Sequence, residues 1–189
     1  VLDADDLDDS TMQRIAADVD YAETAFFTGA TQGRPSVRFF SPVAEVPFCG
    51  HATIAAAVAL TTGGIVEVGD LVFETPVGAV AIATSVVGGT IHAEFTSVEP
   101  AVEPISTAAL DDLRDLIGVG AAVLDPRLPP AIVYTGNRHP LVAISDRDVF
   151  DGFTFDADRA RELMAREGWP ATIIVLHPGA DLTITARNI

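Results

Sequence analysis

Positive charge is scarce in this chain. Only 11 basic residues stand against 27 acidic ones, for a formal net charge of −16 and a pI near 4.3. A nucleic-acid binder needs a basic face to release phosphate counterions, so that class is excluded. Attachment to an anionic membrane surface is disfavoured for the same reason. Cysteine is limited to Cys49, which rules out an intrachain disulfide framework. Long apolar runs are also missing: the longest, Ala52 to Leu60, is far too short to span a bilayer. No leader-like segment opens the chain, which begins at Val1. What is abundant is apolar: 49% of residues, with a mean hydropathy of +0.35, which excludes a disordered chain despite its charge. With 189 residues it can form one large domain or two small ones. The expectation is a soluble, cytoplasmic globular protein.

The pattern along the chain is mixed. Ser10 and Gln13 have capping-box spacing, and Met12, Ile15, Ala16 and Val19 then recur at helical period. A strand is expected at Ala25–Phe27, ended by Gly29, with a turn at Gly33-Arg34-Pro35 and a further strand from Ser36 to Phe40. A second helix, about 52–60, is made of small residues and stops at Thr61-Thr62-Gly63-Gly64. It has almost no polar face, so it should be buried. Strands follow at Leu71–Glu74, Ala79–Thr84 and Thr90–Phe95, the last alternating apolar with polar residues. Val98 to Ser106, with Pro100 and Pro104, reads as a linker. Beyond it come a helix ending at Gly118, strands at Ala131–Thr135 and Leu141–Ser145, a helix at Ala157–Glu167, and strands at Ile173–Leu176 and Leu182–Ala186. The fold class is α+β with mainly antiparallel strands, divided into 1–99 and 100–189. The second part has strands but only amphipathic helices, and looks incomplete.

Several common sites are absent from the sequence. Gly118 and Gly120 begin a dinucleotide fingerprint that fails at Val123. No phosphate-binding loop and no G-x-S-x-G elbow occurs. His51, His92, His139 and His177 lack metal-ligand spacing and Cys49 lacks a second thiol, so no metal is expected. His92, His139 and His177 read as surface or loop residues, and Arg34, Arg38 and Arg187 as partners of nearby acids. The dense segment runs from Arg38 to Thr53. A strand turns through Pro42 and Pro47 and delivers Cys49-Gly50-His51 to the N-terminus of the small-residue helix. Unpaired N–H groups there bind anions such as a carboxylate, and Gly50 permits close approach. The dipole end favours a neutral His51 able to donate a proton. From this segment alone, His51 is equally compatible with capping a core helix.

These residues carry a resemblance. Arg38 to Leu60 resembles the signature of the PhzF (phenazine biosynthesis) family, whose fold is that of diaminopimelate epimerase. Ala22-Glu23-Thr24-Ala25-Phe26-Phe27 resembles the family's Ser-Glu-Thr segment, and Glu74-Thr75-Pro76-Val77-Gly78 its E-T-x-x-G hairpin. The resemblance implies two similar halves, each a curved, mostly antiparallel sheet around a central helix, with the site in the cleft between them. It implies cofactor-free acid–base isomerisation of a small carboxylate-bearing metabolite. Glu23 matches the family's catalytic glutamate and His51 its histidine, while Cys49, Gly50, Ala52 and Thr53 would contact substrate. Glu23 is otherwise one acid among 27, but Phe26 and Phe27 beside it suit a cleft edge, where a carboxylate's pKa rises toward working pH.

Two departures bear on this. The serine before the glutamate is Ala22 here. The family's Asp-Pro-x-Thr-Gly-Ser motif and the second central helix are absent, and the chain resembles a member trimmed at both ends. A sheet without its central helix would leave an apolar face bare, so a homodimer or a complementing polypeptide segment is the expected partner. The alternative is a non-catalytic member that binds a small acid or packs with a partner. A thiol-based racemase ranks last: a thiol at a helix N-terminus can have a lowered pKa, but paired thiols are needed and Cys49 reads better as a small buried residue.

Overall fold

The computed structural model describes residues 1–31, 34–180 and 183–189. Its backbone divides into two compact units, Val1–Glu99 and Pro100–Ile189. In the first, α1 (Asp9–Val19) is capped by Asp8, whose carboxylate accepts from the Thr11 N–H at 2.7 Å. Ser10 is therefore not the cap. It lies inside the first turn and donates to Asp8, because the acid two residues earlier suits the dipole end better. Gln13 reaches away from the helix to the Ser41 carbonyl at 2.9 Å. Met12 and Ala16 bury against Phe26 and Phe40, while Val19 is exposed.

Strand β1 (Thr24–Thr31) pairs antiparallel with β2 (Arg34–Phe40). Gly29 does not end β1. Its φ of +74° makes a bulge, with a register shift between Phe27 and Ala30, and the strand continues. Arg34 and Pro35 belong to β2 rather than to a turn, and Gly33 lies outside the described residues. The residues before α1 run beside β1, with Phe27 N–H bonded to Val1 O and Ala4 N–H to Phe27 O.

A short β3 (Glu45–Val46) then leads to α2 (Gly50–Thr62), which is longer at both ends than its apolar run. Beyond α2 lie β4 (Asp70–Thr75), β5 (Gly78–Val87) and β6 (Thr90–Phe95). The sheet order is β1-β2-β4-β5-β6, with β3 beside β2. Pairing is antiparallel except between β2 and β4, which meet in parallel at Ser36 and Glu74. Helix α2 lays Ala52, Ala56, Ala57 and Leu60 against Val37, Phe39, Phe73, Val80 and Ile82. Small side chains let the sheet approach this helix closely. The helix is not buried all round, however: His51, Ala55 and Ala59 recur on one exposed stripe.

Among the described residues, the second unit is a five-stranded sheet whose helices pack on the face of Ile132, Val142 and Val175. Residues 101–104, expected as linker, form β7 (Ala101–Pro104). Its proline is tolerated because β7 is the edge strand. Helix α3 (Thr107–Ile117) ends at Gly118 with φ +68°. A 3₁₀ turn at Ala121–Val123 precedes β8 (Ala131–Tyr134), β9 (Arg138–Ala143), α4 (Arg147–Gly152), α5 (Ala157–Glu167), β10 (Ile174–Pro178) and β11 (Ile184–Asn188). Strand β11 lies two residues later than expected, and Leu182 falls outside the described residues. β9 and β10 run parallel; the other pairs are antiparallel.

Ile132, Val142 and Val175 pack under Leu113, Ile117, Phe150 and Leu163. On the opposite face Val133, Leu141, Ile174 and Leu176 are only half-buried, and Val102 and Ile184 are exposed. Among the described residues, no helix is long and apolar enough to cross a membrane.

Candidate active site

Three chain features bring the candidate residues together in the first unit. Thr24 pairs with Phe40 at the start of β1, which fixes Glu23 just outside the sheet. Arg38 then braces the turn that leads to α2. Its guanidinium donates twice to Glu45, at 2.7 Å each, and once to Asp9 at 2.7 Å. Ser41 closes the same turn, its hydroxyl accepting from the Ala44 N–H and donating to the Ala44 carbonyl. Cys49 follows as the α2 N-cap in an extended conformation, without a side-chain capping bond.

At this junction His51 Nε2 lies 2.9 Å from Glu23 Oε2. The Cys49 sulfur lies 3.4 Å from His51 Nδ1 and 3.8 Å from Nε2. The His51 side chain is 69% exposed, whereas Glu23 is 19% exposed and Cys49 is buried. Oε2 of Glu23 is itself buried and accepts no aligned hydrogen bond, so its contact with the imidazole is one of proximity. Thr24 Oγ1, next to it, is buried without a partner as well. Buried polar atoms are normally paired, so these two are exceptions that stand side by side in the sequence.

The sequence reading of Cys49 as a small buried residue holds, and the lowered thiol pKa that a helix N-terminus can give does not occur. The structure gives the reverse: burial pushes it up to about 11, and the Glu23 carboxylate adds to the rise. The Ala52 and His51 amides oppose this without overcoming it. At neutral pH Cys49 is a thiol, which can donate a proton but is a poor nucleophile.

The remaining candidates occupy different positions. Ala52 is buried and lines an open groove of about 400 Å³. Gly50 starts the helix with the Phe95 ring 3.1 Å from where a Cβ would stand. Thr53 is fully buried, its hydroxyl donating to the Cys49 carbonyl at 2.7 Å, so it secures the first helical turn and does not face the groove. Glu23 and His51 line this groove together with Val19, Ala55, Ala59 and Ile65. Tyr21 and Thr24 also line it and escaped the sequence reading. Only their place beside Glu23 could have signalled them.

The other histidines are set in strands. His139 Nδ1 is 3.1 Å from the Thr172 carbonyl, and His177 Nδ1 is 2.9 Å from the Ile144 carbonyl. Both are half-buried rather than in loops, because each side chain satisfies a neighbouring segment. His92 is exposed on β6. Arg34 pairs with Glu74 at 2.9 Å. Arg187 instead donates to the Phe150 and Phe153 carbonyls, with its guanidinium 3.7 Å from the Phe153 ring centroid, so aromatic and backbone groups hold it in place of an acid.

The family model described as phenazine biosynthesis-like protein, PhzC-PhzF, matches residues 1–188. The chain belongs to the PhzC-PhzF family. An uncharacterized isomerase of Deinococcus radiodurans is 31% identical over 170 residues, covering 89% of this chain and 55% of that protein. The trans-2,3-dihydro-3-hydroxyanthranilate isomerase of Pseudomonas chlororaphis is 34% identical over 143 residues, covering 75% and 49%. A crystal structure of a Bacillus anthracis PhzF-family phenazine biosynthesis protein superimposes with a TM-score of 0.70 at 26% identity, covering 99% of this chain and 64% of that one. The chain thus spans about half to two thirds of the length of these three proteins. Its fold is diaminopimelate epimerase-like, and solved epimerase and racemase structures share it at lower identity.

Proposed function

We propose that this chain carries the acid–base machinery of a cofactor-independent isomerase that moves a proton on a small carboxylate-bearing metabolite in the cytoplasm. The observation that carries the reading is the buried, unbonded Glu23 Oε2 set 2.9 Å from His51 Nε2, both residues lining the groove. Glu23 lines an open groove, and a carboxylate turned toward it can take a proton from carbon. The electron pair then moves toward the substrate's own conjugated carboxylate, and the proton returns to a different carbon from Glu23 or from protonated His51. General acid–base groups of this kind contribute about 10²–10⁴-fold to rate. The Gly50, His51 and Ala52 amides at the positive end of α2 would receive the substrate carboxylate. Within this reading Thr53 is a positioning residue, and Cys49 adds a neutral thiol beside the imidazole.

The Pseudomonas relative names a first substrate to try, trans-2,3-dihydro-3-hydroxyanthranilate. Turnover of it, or of another small unsaturated carboxylate in a panel, with loss in Glu23→Gln, supports the reading. Binding that leaves every substrate unchanged would replace it with a small-acid binding role. We further propose that the half-buried apolar face of the β7–β11 sheet is covered by further polypeptide, either a second copy of this chain or a complementing segment.

A further inference from the structure

Glu23, Cys49 and His51 offer three different ligand atoms at one point. An oxygen, a sulfur and a ring nitrogen all lie within 4.8 Å of one another. Two edges of that triangle are known more closely: 2.9 Å from Nε2 to Oε2, and 3.8 Å from Nε2 to Sγ. In a tetrahedral zinc site, bond lengths of about 2.0–2.3 Å place neighbouring ligand atoms about 3.3–3.6 Å apart. Both edges fall within roughly half an ångström of that spacing. The third edge, between Glu23 and Cys49, is no longer than 4.8 Å, and a hydrogen bond already links these two side chains. Two of the ligands sit on regular secondary structure: Cys49 caps α2, and Glu23 adjoins the paired start of β1. His51 is exposed and free to present its nitrogen, and its open side leaves the fourth position to water or solute. Ligand spacing along the chain concealed this set, because the carboxylate comes from a different element from the thiol and the imidazole.

We infer that Glu23, Cys49 and His51 form a site for one thiophilic divalent cation of the zinc class, and that its binding blocks the proton transfer assigned to Glu23 and His51. Binding forms metal–sulfur, metal–nitrogen and metal–oxygen bonds and releases the thiol proton to solvent, so no oxidant or reductant is involved. The lone pairs that would accept a substrate proton are then held by the metal. The inhibitory half of this inference rests on the acid–base reading above; the site itself does not.

Cobalt(II) is the probe, titrated into the intact, metal-stripped chain. One equivalent should produce a thiolate-to-cobalt charge-transfer band in the near ultraviolet and visible bands of tetrahedral intensity. Zinc should bleach both at one equivalent. Cys49→Ser should abolish the charge-transfer band, and Glu23→Gln should weaken binding by about tenfold or more while retaining it. Chelation should reverse the wild-type spectrum, a control that needs no variant to fold. A spectrum without the thiolate band at one equivalent, or a band that survives in Cys49→Ser, overturns the site. In an active preparation, equimolar zinc should abolish turnover and a chelator restore it. Undiminished turnover with zinc bound overturns the inhibition alone. A preparation with the cobalt spectrum but no proton transfer on any substrate contradicts the acid–base reading and leaves the metal site standing.

Discussion

Cys49 shows how a single position is decided by competing terms. A helix N-terminus stabilises a thiolate, but burial against Phe48, Ala52 and the sheet, with the Glu23 carboxylate nearby, wins and takes the thiol to about 11. Iodoacetamide should therefore modify Cys49 slowly at pH 8, with a rate that climbs toward pH 11 in the folded protein. A rate that saturates below pH 8 would show that the amides dominate.

Asp125 is the opposite case. Its carboxylate is held at about 2 by the Arg127 side chain, then by the Arg127 amide. A carboxylate lowered in the folded state stabilises it fully above the unfolded value near 4 and loses that contribution as pH falls from about 4 to about 2. Asp125→Asn should lower the melting temperature at pH 7 and flatten its fall across that acidic window. An unchanged slope in the variant would contradict this.

At the scale of elements, α2 sets the demands on packing. Ala57 is fully buried where the sheet wraps the helix, so Ala57→Leu should overpack the core and cost about 1–3 kcal/mol, read from denaturant midpoints at constant slope. A neutral result would mean that the sheet gives way there.

Elements with chemical punctuation at both ends were legible in the sequence. α5 lies between the Asp156 cap and Gly168 and occupies the expected residues, and β6 shows its alternation in Ile91, Ala93 and Phe95. Elements decided by tertiary context were not. β7 was hidden because Pro100 and Pro104 suggest a linker, yet an edge strand accepts them. Asp8 displaced Ser10 as the α1 cap because several capping residues stand side by side in the sequence, and only the fold selects one. The site was legible in the same uneven way. The Cys49–Gly50–His51 turn follows from local chemistry. That Glu23 faces it depends on β1 pairing with β2, which no local pattern states; only the family resemblance pointed to it. Tyr21 and Thr24 had no signal of their own.

At the scale of the whole molecule, the acidic balance and the apolar sheet face act together. A net charge of −16 opposes association, while Val102 and Ile184 at 75% and 57% exposure, with half-buried Val133, Leu141, Ile174 and Leu176 between them, favour it. Raising salt screens the repulsion and leaves the apolar term intact. Sedimentation should therefore show species heavier than 19.8 kDa that grow with ionic strength and shrink in Val102→Asp. A salt-independent monomer would contradict coverage of that face by a second copy.

In the proposed reaction Glu23 moves a proton to and from carbon. The most direct test is deuterium uptake from heavy water into a turned-over small carboxylate, followed by NMR for the wild type and Glu23→Gln. Uptake at carbon is expected in the wild type, with a loss of about 10²–10⁴-fold in the variant, which should keep its melting temperature within a few degrees. Equal uptake by both proteins would contradict it.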